Sequence, residues 1–213
     1  MKLPGEQLVA LLIAVSFASG LNVYAAVATL GLLAHTHFMT LPPQLHALSN
    51  WWVIGASGAL FAIGFVADKI PGFDLVWNAL HTFIRVPVAA LLAFQASSSL
   101  SPGQQAIATL AGGAIALIAH GGKTAARAAV TASPEPFSNA ALSLGEDALS
   151  VSLTWLATVH PFVAGGIAAA LVLIIILLAR WAWRGLKSRF RAAKEALGKV
   201  KMWGTTARPT NRG

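Results

Sequence analysis

The chain has no cysteine, which excludes disulfides, thiol catalysis and Cys-ligated metal and leaves the redox compartment unread. Charge is scarce too: Asp, Glu, Lys and Arg make up 10% of the residues and hydrophobic side chains 56%, whereas soluble domains carry about a quarter charged residues. Acids are the rarest charges, seven in 213 residues, with only Glu195 after Asp147. Long apolar runs, by contrast, recur along the chain, each near the ~20 residues that cross a bilayer as a helix. Composition therefore predicts one compact membrane domain. No ATP-binding motif is present, and the first apolar run, residues 8–34, is too long for a cleaved signal peptide.

The formal charge of +8 is unevenly placed. Residues 180–213 hold ten Lys/Arg against Glu195 alone, and everything before them holds five Lys/Arg against six acids. The basic character belongs to a tail, so nucleic acid is not expected as a partner.

Six segments are laid out at residues 8–34, 51–67, 79–96, 104–120, 140–159 and 161–179. The third carries Arg85 and the fifth Glu146 and Asp147, which makes them the least apolar. Connections 35–50, 97–103 and the corner at His160 lack Lys and Arg. Connection 68–78 has Lys69, connection 121–139 has Lys123 and Arg127, and the tail has ten. Under the positive-inside rule this alternation predicts an all-α, polytopic transmembrane bundle of about six spans with both termini cytoplasmic. Beyond the last span, Leu186, Phe190, Ala193, Leu197 and Val200 recur at helical spacing among Lys187, Arg189, Arg191, Lys194 and Lys199. Such a basic amphipathic helix suits anionic lipids of the inner leaflet. The expected organisation is a transmembrane domain at 1–184, the amphipathic helix at 185–203 and a disordered tail at 204–213.

Charges inside apolar segments are the main functional signal, because an ionisable residue in a span is costly and marks a site by default. At helical spacing Asp74, Asn78, His81 and Arg85 share one stripe, and Pro87 beyond them removes a backbone donor. Ser143, Asp147, Ser150, Thr154 and Thr158 make a second stripe, flanked by Glu146. The fourth segment continues past His120 into Thr124, Arg127 and Thr131 on one face. The first offers Ser19, Asn22 and Thr29 around Ser19 and Gly20, a pair that loosens a helix. These polar faces are expected to turn inward. In one reading Arg85 pairs with Asp74 or Glu146, and Arg127 with Asp147, to lock the bundle; in the other they line a solute or proton pathway.

Two further patterns carry less. Ser57 in Gly55–Gly58 and His120 in Ala119–Gly121 resemble the Ser and His motifs of rhomboid intramembrane proteases, but Ser57 falls near the outer end of its segment and His120 near the inner end of its own. His35, His37 and His46 cluster in an outer connection without carboxylates, so no metal is expected.

The stretches GLNVYAAVATLGLLA from Gly20, ADKIPGFDLVWNALHTFIR from Ala67 and SLGEDALSVSLTWLATVHP from Ser143 resemble a bacterial integral-membrane family catalogued as domain-of-unknown-function family 4126. The family pattern maps onto Gly20, Leu21 and Asn22, onto Asp68 to Pro71 and Asp74, onto Thr82 to Arg85, and onto Glu146 with Asp147. Val86 separates Arg85 from Pro87, a departure from the family's Arg-Pro pair. The resemblance implies a membrane location and marks the charged stripe as the family's signature, without implying an activity.

The sequence is read as a multi-pass protein of the bacterial inner (plasma) membrane that acts as a transporter or permease-like binder of a small or lipidic anion, with proton coupling. Arg85, Arg127, His81 and Asn22 are the expected anion-binding residues. Asp68, Asp74, Glu146 and Asp147 are the expected charge partners or proton relays. No catalytic residue, enzymatic activity, cofactor or metal is expected. The expected partners are the lipid bilayer, anionic lipids at the tail and an anionic solute or lipid, and a homo-oligomer is compatible with the sequence. The competing class is a non-transporting scaffold or assembly factor, with an intramembrane protease as a remote third.

Overall fold

A computed structural model describes residues 5–67, 73–131 and 136–206; within its helices, the side chains of 73–79, 129–131, 136–139, 191–193 and 195–206 are outside the description. The described residues form α1 (Gly5–His35), a 3-10 helix (Pro43–Ser49), α2 (Trp51–Ala67), α3 (Phe73–Ala96), α4 (Pro102–Thr131), α5 (Pro136–Val159) and α6 (Pro161–Thr206), with no strand among them. They divide into two compact units, Met1–Leu173 and Ile174–Gly213.

Helix starts follow local chemistry. Asn50 caps α2 by accepting the Trp52 amide at 2.9 Å. At the start of α4, which opens on Pro102, Gln104 Oε1 accepts from the Ser101 amide at 3.2 Å and from the Ser101 hydroxyl at 3.0 Å, one half of a capping box.

In the first unit α1 is the central element, packed against α2, α3, α4, α5 and the 3-10 helix, while α3 packs against α4. It is mostly apolar and buried over most of its length, with Ser16, Ser19 and Asn22 among its buried residues. Its neighbours meet it through small residues: Ala116, Ala119, Ser150 and Thr154 are fully or almost fully buried. Gly20 shows how close the approach is, since a Cβ there would meet the Ala116 carbonyl oxygen and come within 2.7 Å of Ala119 Cβ. Gly20→Ala is therefore expected to cost about 1–3 kcal/mol through overpacking. Gly55→Ala, with nothing within 4 Å of the added carbon, should gain up to about 1 kcal/mol of helix propensity. Thermal melting of the two variants in detergent tests this; equal melting temperatures would rule out a tight α1–α4 approach.

The described outer surface of the first unit exposes large apolar side chains, with Phe83 81%, Leu110 75% and Ile107 69% exposed, which is compatible with a membrane protein. Three helical stretches are long and apolar enough to cross a membrane: Gly5–His35, Pro102–Ala128 and Pro161–Phe190. A fourth qualifies if the 3-10 helix and α2, bent by 62° at Asn50, form one broken span. The six expected segments all fall in α-helices, but among the described residues six apolar crossings are not found: α3 contributes an apolar stretch at Leu80–Ala96, and α5 is not among the candidates. α5 carries Glu146 and Asp147 together with several Ser and Thr residues.

In the second unit, Arg180, Trp181, Trp183, Arg184, Lys187, Arg189 and Phe190 of α6 are exposed. The helix continues to Thr206 through the 185–203 segment, and the tail from Ala207 lies outside the described residues.

Candidate functional site

The site is organised by a break in α1. Asn22 has φ −150° and ψ 99°, an extended conformation inside a 31-residue helix, so the helical ladder is interrupted on either side of it. Its side chain mends one end: Oδ1 accepts from the amides of Tyr24 at 3.2 Å and Ala25 at 3.1 Å, capping the second half of the helix. Nδ2 donates to Asp147 Oδ1 of α5 at 2.8 Å. The other end exposes carbonyls, which neighbouring helices serve. The Ser150 hydroxyl is shared between the oxygens of Ala18 at 2.9 Å and Asn22 at 3.1 Å. Lys123 Nζ of α4 donates to the Leu21 oxygen at 3.2 Å, placing a cation at the negative end of the first half-helix, where the helix dipole favours it.

Lys123 also lies 2.9 Å from Glu146 Oε2, and Arg127 Nη2 reaches the same oxygen at 2.9 Å. Two α4 cations thus converge on one α5 carboxylate, with Lys123 3% and Glu146 8% exposed. The other oxygen, Glu146 Oε1, has no hydrogen-bond partner among the described residues. Asp147 turns to Asn22, so Arg127 takes the neighbouring carboxylate instead of the expected Asp147.

A second group lies between α3 and α4. Arg85 Nη1 contacts His120 Nδ1 at 3.1 Å, and His120 Nε2 contacts Thr82 Oγ1 at 2.7 Å. Guanidinium nitrogens only donate, so Nδ1 must accept; the ring is neutral and its proton sits on Nε2, donating to Thr82. His81 meets Tyr24 of α1 edge-on at 5.5 Å between ring centres. His81, Arg85 and His120 are all buried. Positions 120, 123 and 127 follow one face of α4, and that face joins the second group to the break.

Of the expected residues, Asn22, Arg127, Glu146 and Asp147 assemble around the break, and His81 and Arg85 form the adjoining group. Asp68 lies outside the described residues, as does the side chain of Asp74. Sequence reasoning misses Lys123, which it counts as a loop charge, and Tyr24; it names Thr82 only within the family pattern and His120 only at the start of the α4 polar face and in a Ser/His pattern given little weight, whereas both ring nitrogens of His120 bond α3 side chains. The His120, Lys123 and Arg127 spacing was the available signal. His35 and His46 bond the carbonyls of Ser49 and Leu41, each at 3.0 Å.

Two apolar cavities flank α1. One, about 390 Å³, is a groove lined by Val9, Leu12, Ile107, Ala111 and Ile115 among others. The other lies under the 3-10 helix, between Leu8, Val15, Leu45 and Leu92. Neither includes a residue of the charged cluster.

Fold and site together define a class: an all-helical protein with helices able to cross a membrane and a buried polar cluster around an interrupted central helix. Within that class the chain belongs to the family described as Domain of unknown function (DUF4126), which it matches over residues 9–181, a span containing every residue of the cluster. Comparison with curated proteins and with solved structures gives no match.

Proposed function

We propose that the protein is a multi-pass inner-membrane permease that binds a small or lipidic anion at the buried cluster and moves it together with a proton. The observation that carries this reading is the break of α1 at Asn22, with one half-helix end capped by Asn22 itself and the other held by polar side chains of α4 and α5. Interrupted helices with polar side chains at their ends recur in membrane transporters, where half-helix termini meet the solute and the coupling ion. Arg85 supplies the planar donor fork suited to phosphate or carboxylate, Arg127 a second guanidinium, and Glu146 and Asp147 the carboxylates that balance them. The reading assigns no catalytic step to these residues.

Purified protein should melt later in the presence of inorganic phosphate, short carboxylates or a polyprenyl phosphate. Arg85→Ala should stay folded and lose that response, because the His120 acceptor it leaves behind can be served by water in a hydrated site. Arg85→Lys should keep the fold and respond weakly. A fully responsive Arg85→Ala protein would remove Arg85 from the anion site.

Six crossings and cytoplasmic termini belong to the same proposal, with one change in their basis. Lys123 and Arg127 are buried in α4, so orientation rests on the ten tail residues, which also suit anionic lipids. Reporter fusions after Asn50 and Ser99 should be external and one at the C-terminus cytoplasmic; an external C-terminus would overturn the arrangement.

The apolar lining of both cavities, and their separation from the cluster, favours a second reading, a non-transporting scaffold whose charges lock the bundle. In that case Arg85→Ala would melt early and no anion would stabilise the wild type.

A further inference from the structure

We infer that His120 is the proton-binding group of the site, and that its protonation hands the Arg85 guanidinium from the imidazole to the anion. This deepens the anion-binding reading above and rests on it. In the observed state Arg85 Nη1 donates to the Nδ1 lone pair of a neutral His120, whose Nε2–H donates to Thr82 Oγ1. A proton arriving from water binds that lone pair, and no other bond is made or broken covalently. The Arg85–His120 hydrogen bond cannot survive the step, since both atoms are then donors and both side chains are cations. An anion between them resolves the conflict by accepting from Arg85 Nη1–H and His120 Nδ1–H together, while Nε2–H keeps its bond to Thr82. Proton and anion thus enter as a pair and each strengthens the binding of the other, as linkage requires.

The groups around His120 fit this role. α3 brings His81 and Arg85, α4 itself brings Lys123, and α1 brings Tyr24 against His81. From α5, Glu146 holds Lys123. Three cationic or ionisable basic neighbours oppose a lone charge on His120 but accommodate one that comes with an anion. Thr82 anchors Nε2, so the ring presents the Nδ1 edge to Arg85 in either protonation state. His120 is a better candidate than His81 because its Nδ1 lone pair already faces the guanidinium, whereas the His81 ring packs against a phenol.

Sulfate is the probe, because its charge does not change between roughly pH 5 and 8 and any pH dependence belongs to the protein. Wild-type protein in detergent should bind sulfate more tightly as pH falls, by up to about tenfold per pH unit, the limit for one linked proton. In weakly buffered solution, sulfate addition should draw up to about one proton per anion from the medium. His120→Asn offers Arg85 an acceptor near the Nδ1 position but cannot be protonated; it should bind sulfate weakly at every pH and take up no proton. Should His120→Asn fail to fold, the proton-uptake measurement on the wild type stands by itself, and absence of uptake on binding overturns the proposal. pH-independent binding that is lost in Arg85→Ala would overturn proton coupling and leave the anion site standing. Persistence of the pH dependence in His120→Asn would place the proton elsewhere. No sulfate, phosphate or carboxylate binding at any pH would overturn both the anion reading and this one.

Discussion

Glu146→Ala is expected to lower the melting temperature of the purified protein more than any other single change in the cluster. Its Oε2 is shared by Lys123 and Arg127 at 2.9 Å each, and removing it sets two buried cations against one another. Breaking a buried ion pair by deleting one partner costs about 3–5 kcal/mol, because the remaining charge has already lost its water. Lys123→Met should cost less: the Arg127–Glu146 pair survives to hold the carboxylate, and the losses include one of its two cations and the donor to the Leu21 carbonyl, the latter a deficit of about 1–3 kcal/mol for an acceptor left buried. Thermal melts of the two variants in one detergent give the order. If Lys123→Met melted earlier than Glu146→Ala, the carboxylate would not be the hub, and the contact of the ammonium with the broken helix would contribute more to stability than the ion pairs.

How much of this is legible in the sequence depends on the kind of signal. Helix positions are open to reading because apolar runs and their punctuation are local. The segment expected at 51–67 is α2 itself, begun by an Asn50 cap and two tryptophans, and Pro161 opens α6 at the corner expected there. The loosening of α1 is expected near Ser19 and Gly20, yet the break falls at Asn22. Gly20 loosens nothing; its missing Cβ lets α4 approach, and Asn22 makes the break by capping the next turn with its own amide. Composition cannot separate those roles, since both depend on a helix distant in sequence. Lys123 is misread for a related reason. The loop count places it in connection 121–139, although the polar face of the fourth segment is expected to continue to Thr131; α4 does run on to Thr131, so a residue counted as a loop charge is buried against α5. The charged residues are thus visible and their partners are not, because pairing across helices separated by many residues has no local trace.

The second large effect is expected at Asn22, where two functions of one side chain can be told apart. Asn22→Leu keeps the branched shape of the side chain and loses both contacts. The cap on Tyr24 and Ala25 is worth about 0.5–2 kcal/mol, and the bond to Asp147 about 1.5–3 kcal/mol because its acceptor is charged. Together these predict a loss of about 2–5 kcal/mol, and closing the helix would not avoid it, since Asp147 would still be buried without its amide donor. Asn22→Ser retains a capping oxygen but is too short to reach Asp147, so it should fall between the wild type and Asn22→Leu. Asn22→Asp retains the cap and sets a second carboxylate against Asp147, so it should also melt early, through repulsion in place of a lost bond. Melting temperatures in the order wild type, Asn22→Ser, Asn22→Leu would support a side chain that both ends one half-helix and holds α5. An Asn22→Leu protein as stable as the wild type would show that the break is maintained by Lys123 and Ser150 through the free carbonyls, with the asparagine incidental to it.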